Sequence, residues 1–175
     1  NRAAKAAAVT GEAGHGSFVL AGCQTEGRGR RGRSFYSPQD AGIYLSVVLE
    51  PKGSLQESLL LTAEAAVAVY KAVKKVTGID LDIKWVNDLY HNGKKVCGIL
   101  TEAVTDFESG NIEFAVVGIG LNIFEAAEGY PEAIKGIAGG IYESREAVGE
   151  LERSRLAAEI VNALLEETKE LRLPP

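Results

Sequence analysis

The sequence predicts an α+β domain, a mostly antiparallel sheet backed by helices, and three observations predict it. Strand-like runs follow one another through tight turns, His91-Asn92-Gly93-Lys94 and Glu108-Ser109-Gly110-Asn111; an Asn-Gly pair between such runs is a strong hairpin signal. A single long helical pattern interrupts the strands instead of alternating with them, which argues against βαβ units. A second strong helical pattern, from Leu151 to Leu171, closes the chain.

Each element has its own warrant. Asn1 to Val9 is rich in Ala and reads as a short helix, broken by Gly11, Gly14 and Gly16. Ser17 to Cys23 reads as a buried strand, and Gly42 to Leu49 as the next, stopped by Pro51 and Gly53. Ser54 and Glu57 form a capping box ahead of a helix whose Leu60, Ala63, Val67 and Val73 share roughly one side, with Gly78 as its stop. Ile79 to Trp85 alternates apolar and charged residues, the pattern of a half-buried strand with Trp85 on the core face and Lys84 on the other. Lys95 to Ala103 returns from the Asn-Gly turn, which brings Asp88 and Lys95 to the same end of the sheet. Ile112 to Gly118 follows as a strand, and Gly118 and Gly120 are expected to break it before Leu121-Asn122. Ile134, Ile137 and Ile141 have helical spacing, weakened by Gly136, Gly139 and Gly140. Leu156, Ile160, Leu164 and Leu171 form one face of the last helix, and Pro174-Pro175 reads as the start of a linker.

Composition narrows the function. With 175 residues the prior is one domain, spanning 1–175, with a real core. A net charge of −5 argues against general nucleic-acid binding, which favours a basic domain. Cys23 and Cys97 have no metal or redox spacing and are expected as small core residues. The sequence contains no apolar run long enough for a membrane span and opens on no signal peptide, so a cytoplasmic location is expected. It also contains no Met and begins inside a helix-like run, as a partial chain would.

Against that acidic background one stretch stands out, Gln24 to Pro38, QTEGRGRRGRSFYSP. Arg28, Arg30, Arg31 and Arg33 alternate there with Gly27, Gly29 and Gly32. Arg grips phosphate or carboxylate with a planar fork, and Gly lets the backbone approach a ligand. The letters also fit a dinucleotide fingerprint, but that needs a helix to follow, and a strand pattern follows instead. The remaining readings are a loop that closes over a small anion and a solvated Arg/Gly loop with weak RNA affinity.

Four separated matches decide between them. The loop matches Q-x-x-G-R-G-R-x-G-R from Gln24 to Arg33; Lys84 to Asp88 matches K-W-P-N-D, with Val86 for Pro; Lys95 to Glu102 matches K-x-x-G-I-L-x-E; and Gly118 to Asn122 matches G-x-G-x-N. Together and in this order they resemble the catalytic domain of biotin protein ligases. The resemblance implies a fold like class II aminoacyl-tRNA synthetases. It also implies a two-step reaction: biotin and ATP, with Mg²⁺, give biotinyl-AMP, and a lysine of a biotin carboxyl carrier domain then takes the biotin.

The site roles implied are equally specific. Gln24, Gly27, Arg28, Arg30, Lys95 and Gly98 would bind biotin; Arg30, Arg33, Phe35, Asn122 and Asn1 would serve the nucleotide; no metal ligands are assigned. Lys95, Arg28 and Arg30 would stabilise the reacting anions, and Asp88 would orient or deprotonate the incoming lysine amine. Asp88 could instead cap the turn, and Lys95 could be a surface lysine. Phe35 stands where the family often stacks Trp on adenine, and it reads either as that platform or as core. The family's Ser-Thr before the position of Asn1, its DNA-binding N-terminal domain and its small C-terminal barrel are not matched, so no DNA partner is expected. A homodimer through sheet edges is carried over from the family. The rivals are a lipoate or octanoate ligase or transferase of the same superfamily, a biotin sensor without catalysis, and an RNA-binding module.

Overall fold

The computed structural model describes residues 1–51, 58–106, 108, 110–146 and 153–172. Its helices are α1 (Arg2–Val9), α2 (Ser58–Thr77) and α3 (Arg153–Glu167). Its strands are β1 (Phe18–Ala21), β2 (Gly42–Leu49), β3 (Asp82–Lys84), β4 (Asp88–His91), β5 (Lys94–Thr105) and β6 (Ile112–Asn122). They form one sheet in the order β1-β2-β6-β5-β4-β3. Among the described residues every ladder is antiparallel, and parallel pairing is confined to the single bridges Lys95↔Ala138 and Phe124↔Tyr142. The expected α+β architecture is therefore present. The capping box of Ser54 and Glu57 and the linker start expected at Pro174-Pro175 lie outside the described residues.

Alternation along the strands sets the layers. Ile43, Leu45, Val47 and Leu49 of β2, Ala115, Val117, Ile119 and Leu121 of β6, and Cys97 and Ile99 of β5 pack into one core with α2 and α3. Because successive side chains point to opposite faces, Tyr44, Ser46, Gly98, Leu100, Gly118 and Gly120 fall on the other face. There Ala4 of α1 packs with Val48, Phe114 and Val116 in a small second cluster. α3 buries Leu156, Ile160 and Leu164, the face its spacing predicts. The buried side of α2 is Leu61, Ala65, Ala68, Val69, Ala72 and Val73. It is rotated from the expected one, and Leu60 is left 47% exposed; the Ala-rich stripe lets α2 lie close against the sheet and α3.

Five further expectations are corrected. β1 is not buried: Phe18 and Leu20 are 55% and 46% exposed, because β1 is an edge strand paired only with β2. A continuous apolar run implies two covered faces only for a central strand. Cys23, just past β1, is exposed rather than core. At the other edge β3 is three residues long, Trp85 is 78% exposed, and Val86 takes the inward place. Residues 131–143 form turns, not a helix: 131–138 close short turns of their own, such as Ile134 N–H to Pro131 O at 2.9 Å, and the chain then pairs with β5, Lys95 N–H donating to Ile137 O at 2.8 Å and Gly139 N–H to Lys95 O at 3.0 Å. Finally, Gly118 and Gly120 do not break β6, which runs on to Asn122 in register with β2 and β5.

Leu89 is the inward residue of β4 and is fully buried. Leu89→Ala should lower the unfolding free energy by ~2–5 kcal/mol, the range for truncating a buried Leu. Urea denaturation checks this, and a loss below ~1 kcal/mol would mean that β4 is not pinned by the core.

Candidate active site

The face of the sheet away from α2 and α3 carries a cavity of about 1060 Å³. Its floor comes from β2, β5 and β6, and Gly98, Gly118 and Gly120 are the floor residues without side chains. Their spacing by two puts Gly118 and Gly120 on one face, and Gly98 pairs with Gly120 across the ladder. The space they leave is used. A Cβ on Gly120 would lie 2.4 Å from the Phe35 ring, and one on Gly98 3.0 Å from it. A Cβ on Gly118 would lie 2.2 Å from Asn1 Oδ1. Phe35 is therefore half-buried on the glycines, outside both core clusters.

The Arg/Gly loop forms one wall. It closes on itself through Gln24 N–H to Ser37 O (3.0 Å), Phe35 N–H to Gly27 O (2.8 Å) and Gly29 N–H to Arg33 O (2.7 Å). Gly27 sits under this crossing, where a Cβ would come within 2.2 Å of Phe35 O. The far end of the loop is anchored by Tyr44, whose hydroxyl donates to Pro38 O at 2.8 Å. Burial pushes the Tyr44 hydroxyl up to about 12, so it remains a donor at neutral pH. Gln24 Oε1 accepts from Ser37 Oγ at 2.9 Å.

Opposite the loop, β3, β4 and β5 supply charge. Asp88 pairs with Gly98 and Leu89 with Cys97; then the register shifts and Tyr90 pairs with Lys95. The extra residue is Val96, buried in the core together with Cys97. Strict alternation back from Ile99 and Cys97 would send Lys95 toward the helices. The bulge turns it to the cavity instead, a common use of bulges beside functional sites. There Lys95 Nζ lies 2.7 Å from Asp88 Oδ1. Lys84 stands across from Asp88 in the β3–β4 pairing, with its ammonium 5.3 Å above the Tyr90 ring, within cation–π range. Burial pushes the Cys97 thiol well up, which makes it a poor nucleophile.

Of the residues proposed from sequence, Gln24, Arg28, Arg30, Arg33, Phe35, Asp88, Lys95, Gly98 and Asn1 all line this cavity. Gly27 and Asn122 do not. Gly27 packs inside the loop, while Asn122 is 6% exposed and donates to Gly139 O at 3.2 Å. Asn1 lies over Gly118, with its amide donating to Glu102 Oε2 at 2.7 Å and to Leu100 O at 3.1 Å. The sequence reading assigned no role to Asn87, Lys84, Tyr90 or Glu102, which also line the cavity. The signal was available for three of them, because Lys84 and Asn87 lie inside the matched Lys84–Asp88 motif and Glu102 ends the Lys95–Glu102 run.

A cationic loop over a glycine floor, facing a Lys–Asp pair, is a site with the charge and shape to suit an anionic small molecule. The chain belongs to the Biotin/lipoate A/B protein ligase family, whose model matches residues 6–122. It is 42% identical over 123 residues to the bifunctional ligase/repressor BirA of Bacillus spizizenii, covering 70% of this chain and 37% of that protein. It is 39% identical over 115 residues to the biotin--[acetyl-CoA-carboxylase] ligase of Paracoccus denitrificans, covering 64% of this chain and 46% of that one. Among solved structures, the biotin protein ligase of Aquifex aeolicus in complex with biotin and ATP superposes with a TM-score of 0.72 at 30% identity. That match covers 91% of this chain and 63% of the Aquifex chain. The chain thus spans less than half the length of these two curated relatives.

The seat of Phe35 can be tested without any ligand. Gly120→Ala should push the ring off the floor and raise tryptic cleavage within 24–38 several-fold relative to the rest of the chain, at a cost of ~1–3 kcal/mol for overpacking. An unchanged cleavage pattern would place the ring elsewhere.

Proposed function

We propose that this chain is the catalytic domain of an ATP-dependent biotin ligase, which forms biotinyl-AMP and transfers biotin to a lysine of a biotin carboxyl carrier domain. The observation that carries this reading is the convergence of Arg28, Arg30, Arg33 and Lys95 on one cavity of an acidic protein. Joining a carboxylate to a nucleotide phosphate brings two anions together, and fixed cations offset that repulsion where it arises. The Aquifex relative, solved with biotin and ATP, supports the choice of both substrates. The name of the Paracoccus relative supports a carboxylase as the source of the acceptor.

In the first step a biotin carboxylate oxygen attacks the α-phosphorus, and the bond from that phosphorus to the bridging oxygen breaks, releasing pyrophosphate. Arg28 and Arg30 hold the carboxylate and the α-phosphate, Arg33 faces the departing phosphates, and Lys95 bridges acyl and phosphoryl oxygens. Phe35 offers the ring face away from Gly98 and Gly120 to adenine. In the second step the lysine nitrogen attacks the acyl carbon, the bond to the phosphate oxygen breaks, and AMP leaves. The amine has a free pKa near ~10.4 and arrives charged; Asp88 takes or orients its proton. Mg²⁺ is the expected companion of ATP. No group of three His, Cys, Asp or Glu side chains that could cage an ion is found among the described residues, so the ion is assigned to the triphosphate, its usual carrier. No helix among the described residues is long and apolar enough to cross a membrane, and a cytoplasmic enzyme is proposed. A homodimer is proposed through a sheet edge, since β1 and β3 each leave one side unpaired.

Biotin-dependent pyrophosphate exchange, followed by label transfer to a carrier domain, tests the reading. Exchange driven by lipoate or octanoate in place of biotin would move the chain to the other branch of the family. Lys95→Ala should fold normally and lose ~10²–10³-fold in exchange rate, the usual cost of removing one preorganised charge donor. Phe35→Ala should weaken ATP-analogue binding about ten-fold, since base–aromatic stacking is worth ~1–3 kcal/mol. Phe35→Trp should keep that affinity, and biotin binding without nucleotide should be unchanged in both. If Phe35→Ala instead costs ~3–5 kcal/mol of stability and leaves nucleotide affinity intact, the ring is a core residue.

A further inference from the structure

Asn87 touches both halves of the site. Its main chain is fixed to β5, with Ile99 N–H donating to Asn87 O at 2.8 Å. Its side-chain oxygen accepts from Arg30 Nη1 at 2.9 Å. Its side-chain nitrogen donates to Asp88 Oδ1 at 2.9 Å, with Ile99 O at 3.4 Å. The amide has one workable orientation: flipped, its N–H₂ would face a guanidinium that only donates, and its oxygen would face a carboxylate and a carbonyl that only accept. Lys95 Nζ meets the same Asp88 Oδ1 at 2.7 Å. The Asn87 amide donor and the Lys95 ammonium thus meet one carboxylate oxygen, and no hydrogen-bond donor to Oδ2 is found among the described residues.

We propose that Asn87 is a positioning residue, which holds Asp88 so that Oδ2 is left for the incoming lysine amine and at the same time holds Arg30 over the cavity. This inference rests on the ligase reading above for its chemistry. In the transfer step one ammonium proton passes to Oδ2 and frees the nitrogen lone pair, the new bond joins that nitrogen to the acyl carbon, and the acyl–phosphate bond breaks as the second proton leaves with the AMP phosphate or to water. A carboxylate free to rotate about its side chain would present Oδ2 to the amine only part of the time. Asn87, anchored on two elements, removes that freedom. Its carbonyl side ties the Arg/Gly loop to the same anchor, so the loop cation and the base keep one relative placement through both steps.

Two variants separate the contacts. Asn87→Ala removes both. Asn87→Asp keeps an acceptor for Arg30 but places a second carboxylate against Asp88. The charged and titratable groups facing Asp88 are Lys95 from β5, Lys84 across from it on β3, Tyr90 further along β4, and Arg30 through Asn87. A like charge disfavours ionisation, so a second carboxylate beside the base should shift the pH dependence of transfer by about a unit or more in Asn87→Asp. The acid limb of the transfer rate from purified biotinyl-AMP to the carrier should move to higher pH by the same amount. Transfer at neutral pH should fall about ten-fold, as expected when a general base is misplaced or protonated. Biotin-dependent pyrophosphate exchange should be closer to that of the parent protein in Asn87→Asp than in Asn87→Ala. A purely structural role would lower the melting temperature without moving the pH limb. The carboxyl ¹³C titration of Asp88 gives the same answer without turnover. If the parent protein makes no biotinyl-AMP, the ligase reading fails, while an unshifted Asp88 midpoint in Asn87→Asp overturns the positioning role by itself. Parent-like transfer and an unmoved limb in both variants would also overturn it.

Discussion

Everything at this site depends on the parity of three neighbouring strands. Burying Ile43, Leu45 and Val47, Val117, Ile119 and Leu121, and Cys97 and Ile99 beneath α2 and α3 leaves the intervening residues no choice of face. Three of those intervening residues are Gly98, Gly118 and Gly120, and they turn one face of the sheet into a floor. A one-residue slip of β6 would bury the glycines and push Ile119 and Leu121 into the cavity. The hydrophobic core therefore specifies the binding surface on the opposite face of the same strands.

The charged residues are held by different means. Lys95 reaches the cavity because Val96 is an extra residue in β5, and Arg30 because Asn87 accepts from it. Each is a local departure from regular structure at a place where regular structure would misdirect the side chain. The chain carries a net −5, so these few cations produce a positive cavity in a negative protein. Such a field draws anions inward and is screened by salt outside.

Much of this was legible in the sequence, and the rest was hidden for physical reasons. The turn at Asn92-Gly93 was legible because both residues need positive φ, and they have φ of 49° and 76°. The two long helices were legible from their apolar runs, and the Arg/Gly loop from its charge. Exposure of β1 and Trp85 was not, since alternation and apolar runs report which side chains could be buried, and sheet order decides which are. The aim of Lys95 was hidden because a bulge leaves no mark on a K-x-x-G spacing. Gly118 and Gly120 read as strand breakers because propensity counts what glycine costs the backbone, not the room it leaves for a ring from another segment. Asn87 was passed over because its role lies in contacts to two distant elements.

The resting pair of Lys95 and Asp88 has one more consequence. Before any substrate arrives, the principal cation of the floor is already satisfied at 2.7 Å. A single stray anion, such as inorganic phosphate, must then compete with a carboxylate that is attached to the protein and always present. Only a molecule that engages several cations at once gains enough to displace it. The pair thus sets a threshold at Lys95, a minimum number of simultaneous contacts that an anion must make before it displaces Asp88.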